Sequence, residues 1–218
     1  MTDVSAIRHE VAELHAQLVR YGLVVWTAGN VSARVPDSNL FVIKPSGVPY
    51  EELNADRMVV CDLSGRATDG DLTPSSDTAS HAYIYRHCPE VGGIVHTHST
   101  YAVAWAARGE PVPCVLTAMA DEFGGEIPIA PFSLIGDESV GKAVVDTLQA
   151  SGSSAVLLAN HGPFTVGKDA KAAVKAAVMC EDVCRTVHIA RQLGNCEPIA
   201  PSDIRQLHDR YQNVYGQR

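Results

Sequence analysis

The sequence predicts an α/β protein in which helices cover a central mixed sheet. An amphipathic helix pattern opens the chain, short runs rich in β-forming residues recur along it, and helical stretches separate several of these runs. The runs do not alternate strictly with helices as a doubly wound parallel sheet requires. With 218 residues, of which 46% are hydrophobic, the chain is long enough to bury a substantial core as one domain over residues 1–218.

Helices are predicted where apolar residues recur at steps of three and four. The first extends from Val4 to Leu18 and is stopped by Gly22. Ser99 and Thr100 are candidate capping residues for a later helix, and Gly194 ends the longest one. The further predicted helices are Ala79–Arg86, Tyr101–Arg108, Val140–Leu148 and Ala170–Leu193.

Strands are predicted in the short β-rich runs that end at turn residues. Gly162 and Pro163 are expected to turn the chain between the last two of them. The predicted strands are Leu40–Lys44, Met58–Asp62, Gly93–His98, Ala155–Asn160 and Phe164–Gly167.

Charge and composition exclude several classes of protein. Lys and Arg total 17 against 25 Asp and Glu, a net charge of −8 with no basic run, so a nucleic-acid partner is not expected. The N-terminus lacks a basic segment followed by an apolar one, and no apolar run approaches the roughly 18 to 20 residues that cross a bilayer. We therefore expect a cytoplasmic protein with no membrane partner. The 6 cysteines form no CxxC pair and are expected to be free thiols.

His96 and His98 form the sharpest chemical motif, because they end an apolar run and lie two residues apart. On a strand such residues project from the same face, so both imidazoles can converge on one ion. His161 ends another apolar run and offers a third nitrogen, and three protein ligands with an open position are usual for catalytic Zn²⁺. The spacing alone fits equally well a pair of polar residues satisfied within a sheet.

A second constellation consists of small polar residues at Gly29-Asn30, Lys44–Gly47 and Ser75–Asp77. Glycine-turn amides, serine hydroxyls and a lysine are the groups that cradle a phosphate, and Asp77 would add a carboxylate to the same pocket. Taken singly, each segment is typical of an ordinary turn or a helix N-cap.

In combination these motifs resemble the class II aldolase/adducin family, and within it the L-ribulose-5-phosphate 4-epimerases. The resemblance rests on five motifs in order, from about residue 22 to the last residues: Gly-Asn-Val-Ser, Lys-Pro-Ser-Gly-Val, Ser-Ser-Asp-Thr, Gly-Ile-Val-His-Thr-His-Ser and His-Gly-Pro-Phe. It implies a three-layer α/β/α domain with a predominantly antiparallel central sheet. It also implies a homotetramer with active sites between subunits.

The resemblance implies a role for each site residue. His96, His98 and His161 would hold a divalent metal, Zn²⁺, and Asp77 would belong to the same metal site, where fuculose-phosphate aldolases carry a glutamate base. The catalytic acid/base pair would be Asp121 and a terminal tyrosine, Tyr215, from the neighbouring subunit. The sugar-phosphate substrate would be bound by Gly29, Asn30, Lys44, Ser46, Gly47, Ser75, Ser76 and Asp77.

The implied reaction is metal-dependent epimerisation at C4, converting L-ribulose 5-phosphate to D-xylulose 5-phosphate. Retro-aldol cleavage of the C3–C4 bond is the sensible route, because the C4 hydrogen is not acidic whereas a metal can stabilise the enolate. Inversion then needs two proton carriers on opposite faces of the aldehyde.

Other activities within the family remain open. One is a class II aldolase that cleaves a ketose 1-phosphate such as L-fuculose 1-phosphate, or a deoxy-pentulose phosphate, and the short segment Ile127–Leu148 favours it. A dehydratase is another. A non-catalytic adducin-like module is disfavoured, because all three candidate histidines are present.

Overall fold

A seven-stranded sheet forms the centre of residues 3–214, which a computed structural model describes. Its strand order is β3-β2-β1-β4-β7-β6-β5, and every neighbouring pair is antiparallel except β5 and β6. The prediction of a mixed, predominantly antiparallel sheet is therefore confirmed. The strands are β1 (Asn30–Val35), β2 (Leu40–Ile43), β3 (Val59–Asp62), β4 (Gly93–His96), β5 (Ile129–Ala130), β6 (Ala155–Leu158) and β7 (Gly162–Gly167).

Helices account for most of the remaining chain between residues 3 and 214. Short 3₁₀ turns at Tyr50–Glu52 and Ala55–Arg57 lie between β2 and β3. No helix in this range is both long enough and apolar enough to cross a bilayer. The helices are α1 (Val4–Arg20), α2 (Thr78–His87), α3 (Thr100–Arg108), α4 (Thr117–Phe123), α5 (Ser139–Ser151), α6 (Ala170–Leu193) and α7 (Pro201–Val214).

Both faces of the sheet are buried, which gives the three layers. Alternate residues of a strand point to opposite faces. Phe41 and Ile43 accordingly pack in one cluster with α2 and α5, whereas Val42 between them packs in another with α1 and α6. A third cluster places α3, α4 and α6 against Ala155 and Leu157. The fold is thus α/β/α.

The chain turns between β6 and β7 earlier than predicted. The strand ends at Leu158, and Asn160 adopts a left-handed conformation with φ of 59°, so His161 lies in the turn. Gly162 and Pro163 already belong to β7. The turn residue is therefore an asparagine, a residue that tolerates positive φ better than most.

The N-terminus of α3 is capped from another helix rather than by its own first residues. Ser99 is the N-cap residue but its side chain makes no capping hydrogen bond. The Glu181 carboxylate of α6 instead accepts hydrogen bonds from the backbone N–H groups of Tyr101 and Ala102 at 2.9 Å. A carboxylate at this position satisfies otherwise unpaired N–H groups and complements the helix dipole.

His15 connects α1 to the sheet as a neutral imidazole. Its Nδ1 donates to the carbonyl of Val11 at 2.7 Å, and its Nε2 accepts from the N–H of Val31 at 3.0 Å. Burial lowers the pKa of His15 from 6.5 to about 3. The folded protein therefore resists protonation of this ring across a pH range in which the unfolded chain accepts the proton.

We expect His15→Gln to flatten the pH dependence of the unfolding free energy of the metal-free protein. Because the pKa of His15 falls from 6.5 to about 3 on folding, the stability tied to its neutral ring is fully present above pH 6.5 and is lost towards pH 3. Urea unfolding at a series of pH values would measure the slope. The exposed His9→Gln is the matched control, and wild-type and His15→Gln curves that run parallel would refute the assignment.

Candidate functional site

One cavity of about 240 Å³ gathers all of the predicted metal-binding and substrate-binding residues. It lies where β1 begins, β4 ends and the β6–β7 turn passes. The full lining is Thr27, Ala28, Gly29, Asn30, Lys44, Ser46, Gly47, Ser75, Ser76, Asp77, His96, His98, Ile135 and His161.

The three histidines converge because β4 pairs with β7. His96 is opposite Phe164, which brings the turn carrying His161 beside the end of β4. The Nε2 atoms of His96 and His98 are 3.0 Å apart, and one nitrogen from each of the three rings lies within 4.8 Å of the others. The sequence predicted that all three rings meet, and the strand pairing explains how His161 reaches the other two.

The donor set fits a divalent metal of the zinc type. His96 Nδ1 donates to the carbonyl of Pro163 at 3.0 Å, which directs the lone pair of Nε2 towards His98. Burial lowers the pKa of His96 to about 3, so the ring is neutral and able to ligate. The buried Nδ1 of His161 has no hydrogen-bond partner within residues 3–214. A buried polar atom in this state is one that a ligand could satisfy.

Asp77 lies beside this cluster at the start of α2 and is 7% exposed. The side-chain amide of Asn30 donates to its Oδ2 at 2.7 Å and to Ser75 Oγ at 3.1 Å. Burial alone would raise the pKa of Asp77, but the imidazoles of His96 and His81 and the Asn30 hydrogen bond lower it. Asp77 is therefore an ionised and firmly held carboxylate. It is not part of the nitrogen cluster within 4.8 Å.

Two loops are joined across the floor of the cavity by backbone hydrogen bonds. The N–H of Ser75 donates to the carbonyl of Lys44 at 2.9 Å, and the N–H of Ser46 donates to the carbonyl of Thr73 at 2.8 Å. The side chains of Ser46 and Ser75 are thereby held at one cavity. Hydroxyl groups and glycine-turn amides in this arrangement are suited to an anionic group such as a phosphate.

Lys44 lies in the cavity wall, but its ammonium already has backbone partners. Its Nζ donates to the carbonyls of Thr27 at 3.1 Å and Pro45 at 3.3 Å, and the residue is 2% exposed. Burial lowers the pKa of Lys44, and Asp77 partly opposes this effect. Its contacts therefore anchor the loop before Gly29 as well as placing a positive group behind the cavity.

Thr27, Ala28 and Ile135 also line the cavity, and none of them was predicted as a site residue from the sequence. The first two directly precede Gly29, so their position next to that motif was an available signal. Ile135 comes from the loop after β5, and no motif marks it.

Of the two predicted acid/base residues, Asp121 does not line the cavity of its own chain. Asp121 lies half-buried on α4, where its backbone carbonyl accepts from His208 Nδ1 at 2.9 Å, and it is not a lining residue. Tyr215 lies outside the described residues 3–214. Within residues 3–214, the cavity thus contains the predicted metal ligands and the polar loops but not Asp121.

Comparison with known proteins gives consistent matches. Residues 9–188 match the model of a family described as Class II Aldolase and Adducin N-terminal domain. An L-fuculose 1-phosphate aldolase structure has 25% identity and a TM-score of 0.90, over 95% of this chain and 96% of that one. YgbL from Klebsiella pneumoniae, a putative aldolase/epimerase/decarboxylase, has 29% identity and a TM-score of 0.80, over 95% and 100%. L-fuculose-1-phosphate aldolase from Thermus thermophilus has 24% identity and a TM-score of 0.72, over 89% and 100%, and shares the fold.

We expect Gly29→Ala to lower both the unfolding free energy and the zinc affinity, whereas Gly22→Ala lowers the unfolding free energy only. Both glycines have positive φ, so alanine costs roughly 1–2 kcal/mol at either position. A Cβ at Gly29 would additionally lie 2.8 Å from Val24 Cγ1 and 3.0 Å from the carbonyl oxygen of His96. A Cβ at Gly22 would have no such close contact within 4 Å among the described residues 3–214. Urea unfolding and zinc titration measure the two effects. Equal losses in the two variants would show that the contact with His96 is unimportant.

Proposed function

Because the chain belongs to the class II aldolase and adducin N-terminal domain family, we propose that it is a metal-dependent enzyme that cleaves and forms a carbon–carbon bond in a sugar phosphate. The observation that carries this proposal is the single cavity that places the three histidines next to the glycine and serine loops. His96, His98 and His161 would hold Zn²⁺. When bound, the metal supplies Lewis-acid stabilisation of the charge that develops on the enolate.

The loops would hold the phosphate of the substrate. Ser46, Ser75, Ser76, Gly29 and Gly47 line the same cavity, and Asn30 holds Asp77 beside them by a hydrogen bond. Binding the phosphate there would orient the carbon chain towards the histidines. Such positioning is a large part of the catalytic effect in bond cleavage of this kind.

Within this chemistry the proposed reaction is C4 epimerisation of L-ribulose 5-phosphate to D-xylulose 5-phosphate. One proton carrier removes the proton of the C4 hydroxyl as the C3–C4 bond breaks, leaving a dihydroxyacetone enolate and glycolaldehyde phosphate. The aldehyde then rotates, the enolate attacks its opposite face, and the second carrier protonates the new alkoxide. We assign these two roles to Asp121 and Tyr215.

The low pKa of Asp77 supports the assignment of proton transfer to two other residues. Its carboxylate is hydrogen-bonded to Asn30 at 2.7 Å, and its pKa lies below the ordinary carboxyl value. A fixed carboxylate with low proton affinity is a poor general base near neutral pH. Proton transfer would therefore fall to groups outside the cavity wall of a single chain.

A class II aldolase is the second candidate, and the structural neighbours fit it equally well. The L-fuculose 1-phosphate aldolase structure matches over 95% of this chain with a TM-score of 0.90. An aldolase would use the same metal-binding and phosphate-binding residues. It would release the aldehyde, whereas the epimerase rotates the aldehyde and rejoins it to the enolate.

The proposed assembly is a homotetramer whose active sites lie between subunits. Asp121 does not line the cavity of its own chain, so we propose that a second copy of the chain brings its Asp121 there. Exposed apolar residues also flank the cavity loops: Trp26 is 82% exposed, and Val25, Phe132, Leu134 and Ile135 are exposed as well. Apolar groups concentrated around a site are typical of surfaces that a partner covers.

We expect the zinc-loaded protein to convert L-ribulose 5-phosphate to D-xylulose 5-phosphate, to lose this activity with EDTA and to regain it with Zn²⁺. Loss of the metal removes the stabilisation of the enolate, so epimerisation should stop in both the forward and the reverse direction. Chromatography of the sugar phosphates separates the epimers and detects any free aldehyde. Metal-dependent cleavage of L-fuculose 1-phosphate without epimer formation would instead establish the aldolase.

We expect Asp121→Asn and His98→Asn to be nearly inactive separately and to recover activity when co-expressed. A site that combines His98 of one subunit with Asp121 of another would be intact in about a quarter of randomly mixed positions. Turnover per site of the mixed assembly, compared with each variant alone, measures this recovery. If Asp121 acted within its own chain, no intact site would form and the mixture would stay inactive. Asp146→Asn, an exposed carboxylate on α5, is the matched control and should remain active.

A further inference from the structure

We propose that Tyr50 is a positioning residue that sets the orientation of the Gly29 peptide groups at the sugar-phosphate cavity. It lies in the 3₁₀ turn after β2 and is half-buried, and it does not line the cavity. The inference rests on the proposed function, because it assigns Tyr50 to the phosphate-binding wall of that site.

The Tyr50 hydroxyl holds the peptide groups on both sides of Gly29. It donates to the carbonyl of Ala28 at 2.9 Å and to the carbonyl of Gly29 at 3.1 Å. Gly29 has φ of 82°, which lets two successive carbonyls turn to the same donor. The hydroxyl thus fixes the position where the cavity loop enters β1.

The hydrogen bond from Tyr50 to the carbonyl of Ala28 also sets the direction of the Gly29 N–H, because both groups belong to one planar peptide. In a planar trans peptide the C=O of one residue and the N–H of the next point in opposite directions. The N–H of Gly29 therefore points away from Tyr50, and within residues 3–214 it has no backbone acceptor. Gly29 lines the cavity, so this N–H is the available donor for an anion there.

The peptide group between Gly29 and Asn30 begins β1, the strand that pairs with β4 and its His96. Asn30 follows Gly29, is opposite His96 in the β1–β4 register, and donates to Asp77 through its side chain at 2.7 Å. A rotation of the Gly29 carbonyl away from Tyr50 would turn the peptide that begins β1. The hydroxyl accordingly supports both the anion-binding amide and the residue that holds Asp77.

Lys44 and His15 complete the support behind the loop. Lys44 Nζ lies 5.4 Å from the centre of the Tyr50 ring and donates to the carbonyl of Thr27 at 3.1 Å. The His15 ring lies 6.0 Å from the Tyr50 ring and accepts the N–H of Val31. The backbone from Thr27 to Val31 is therefore held by the side chains of Tyr50, Lys44 and His15.

Preorganisation of this loop should affect substrate binding more than the chemical step. The groups that transfer protons or ligate the metal lie elsewhere, whereas a loop that must be ordered on binding costs affinity. We expect Tyr50→Phe to raise the KM for L-ribulose 5-phosphate and the Kd for inorganic phosphate about tenfold, and to change kcat by no more than about twofold. Tyr50→Leu also removes the ring over Lys44 and should have the larger effect.

The experiment measures binding of inorganic phosphate to the zinc-loaded protein by calorimetry, together with KM, kcat and zinc content. The matched control is Thr165→Val, because the buried Thr165 hydroxyl also donates one hydrogen bond to a backbone carbonyl, that of Ala173 at 2.9 Å, away from the cavity. Thr165→Val should leave the Kd for phosphate and the KM unchanged, although it should lower the unfolding free energy about as much as Tyr50→Phe does.

The outcomes separate the inference from the proposed function. Phosphate binding that Tyr50→Phe leaves unchanged would overturn the positioning role alone. An equal loss of phosphate affinity in Thr165→Val would assign the effect to general stability and overturn it as well. A wild-type protein that binds neither phosphate nor sugar phosphate would overturn the proposed function together with this inference.

Discussion

The pairing of β4 between β1 and β7 is the constraint on which the site depends. The register places Asn30 opposite His96 on one side and Phe164 opposite His96 on the other. A shift of one residue would turn every side chain of β4 to the opposite face of the sheet. The histidine would then lose both its contact with the Pro163 carbonyl and the ring of Phe164, whose centre lies 4.3 Å from its own. The register that forms the sheet thus also sets the position of His96 in the histidine cluster.

Burial determines the charge states around this register. Desolvation lowers the pKa of His96 to about 3 and leaves a neutral ring, while Asp77 is kept ionised although it is nearly buried. The difference arises because the imidazoles of His96 and His81 and the Asn30 hydrogen bond together lower the pKa of Asp77 against the effect of burial, whereas at His96 burial outweighs the opposing effect of Asp77. A cluster of imidazole nitrogens beside a fixed carboxylate is suited to a divalent cation.

The fold limits the reaction without selecting it. Epimerase and aldolase chemistry both need an enolate, a metal and a hold on the phosphate, and the residues proposed to supply the last two lie in the wall formed by one chain. The reactions differ in what happens to the aldehyde, which depends on the proton carriers. Asp121, which we propose as one of them, lies outside this wall. Similarity to an aldolase structure therefore supports the shared chemistry more strongly than either product.

The sequence alone determined the fold class, α1, the long α6, the histidine pattern and the small polar motifs, because periodicity and spacing are local properties. It missed β1, although polar and apolar residues alternate along Asn30–Val35 as they do in a strand, and it missed the two-residue β5 and the helices α4 and α7. The sequence also predicted that His161 joins His96 and His98, and the structure brings these three rings together. Only the tertiary structure decided that Glu181 caps α3 and that Tyr50 lies behind Gly29. These contacts join residues far apart in the chain, so their geometry is set by strand pairing and helix packing, which local sequence patterns do not encode.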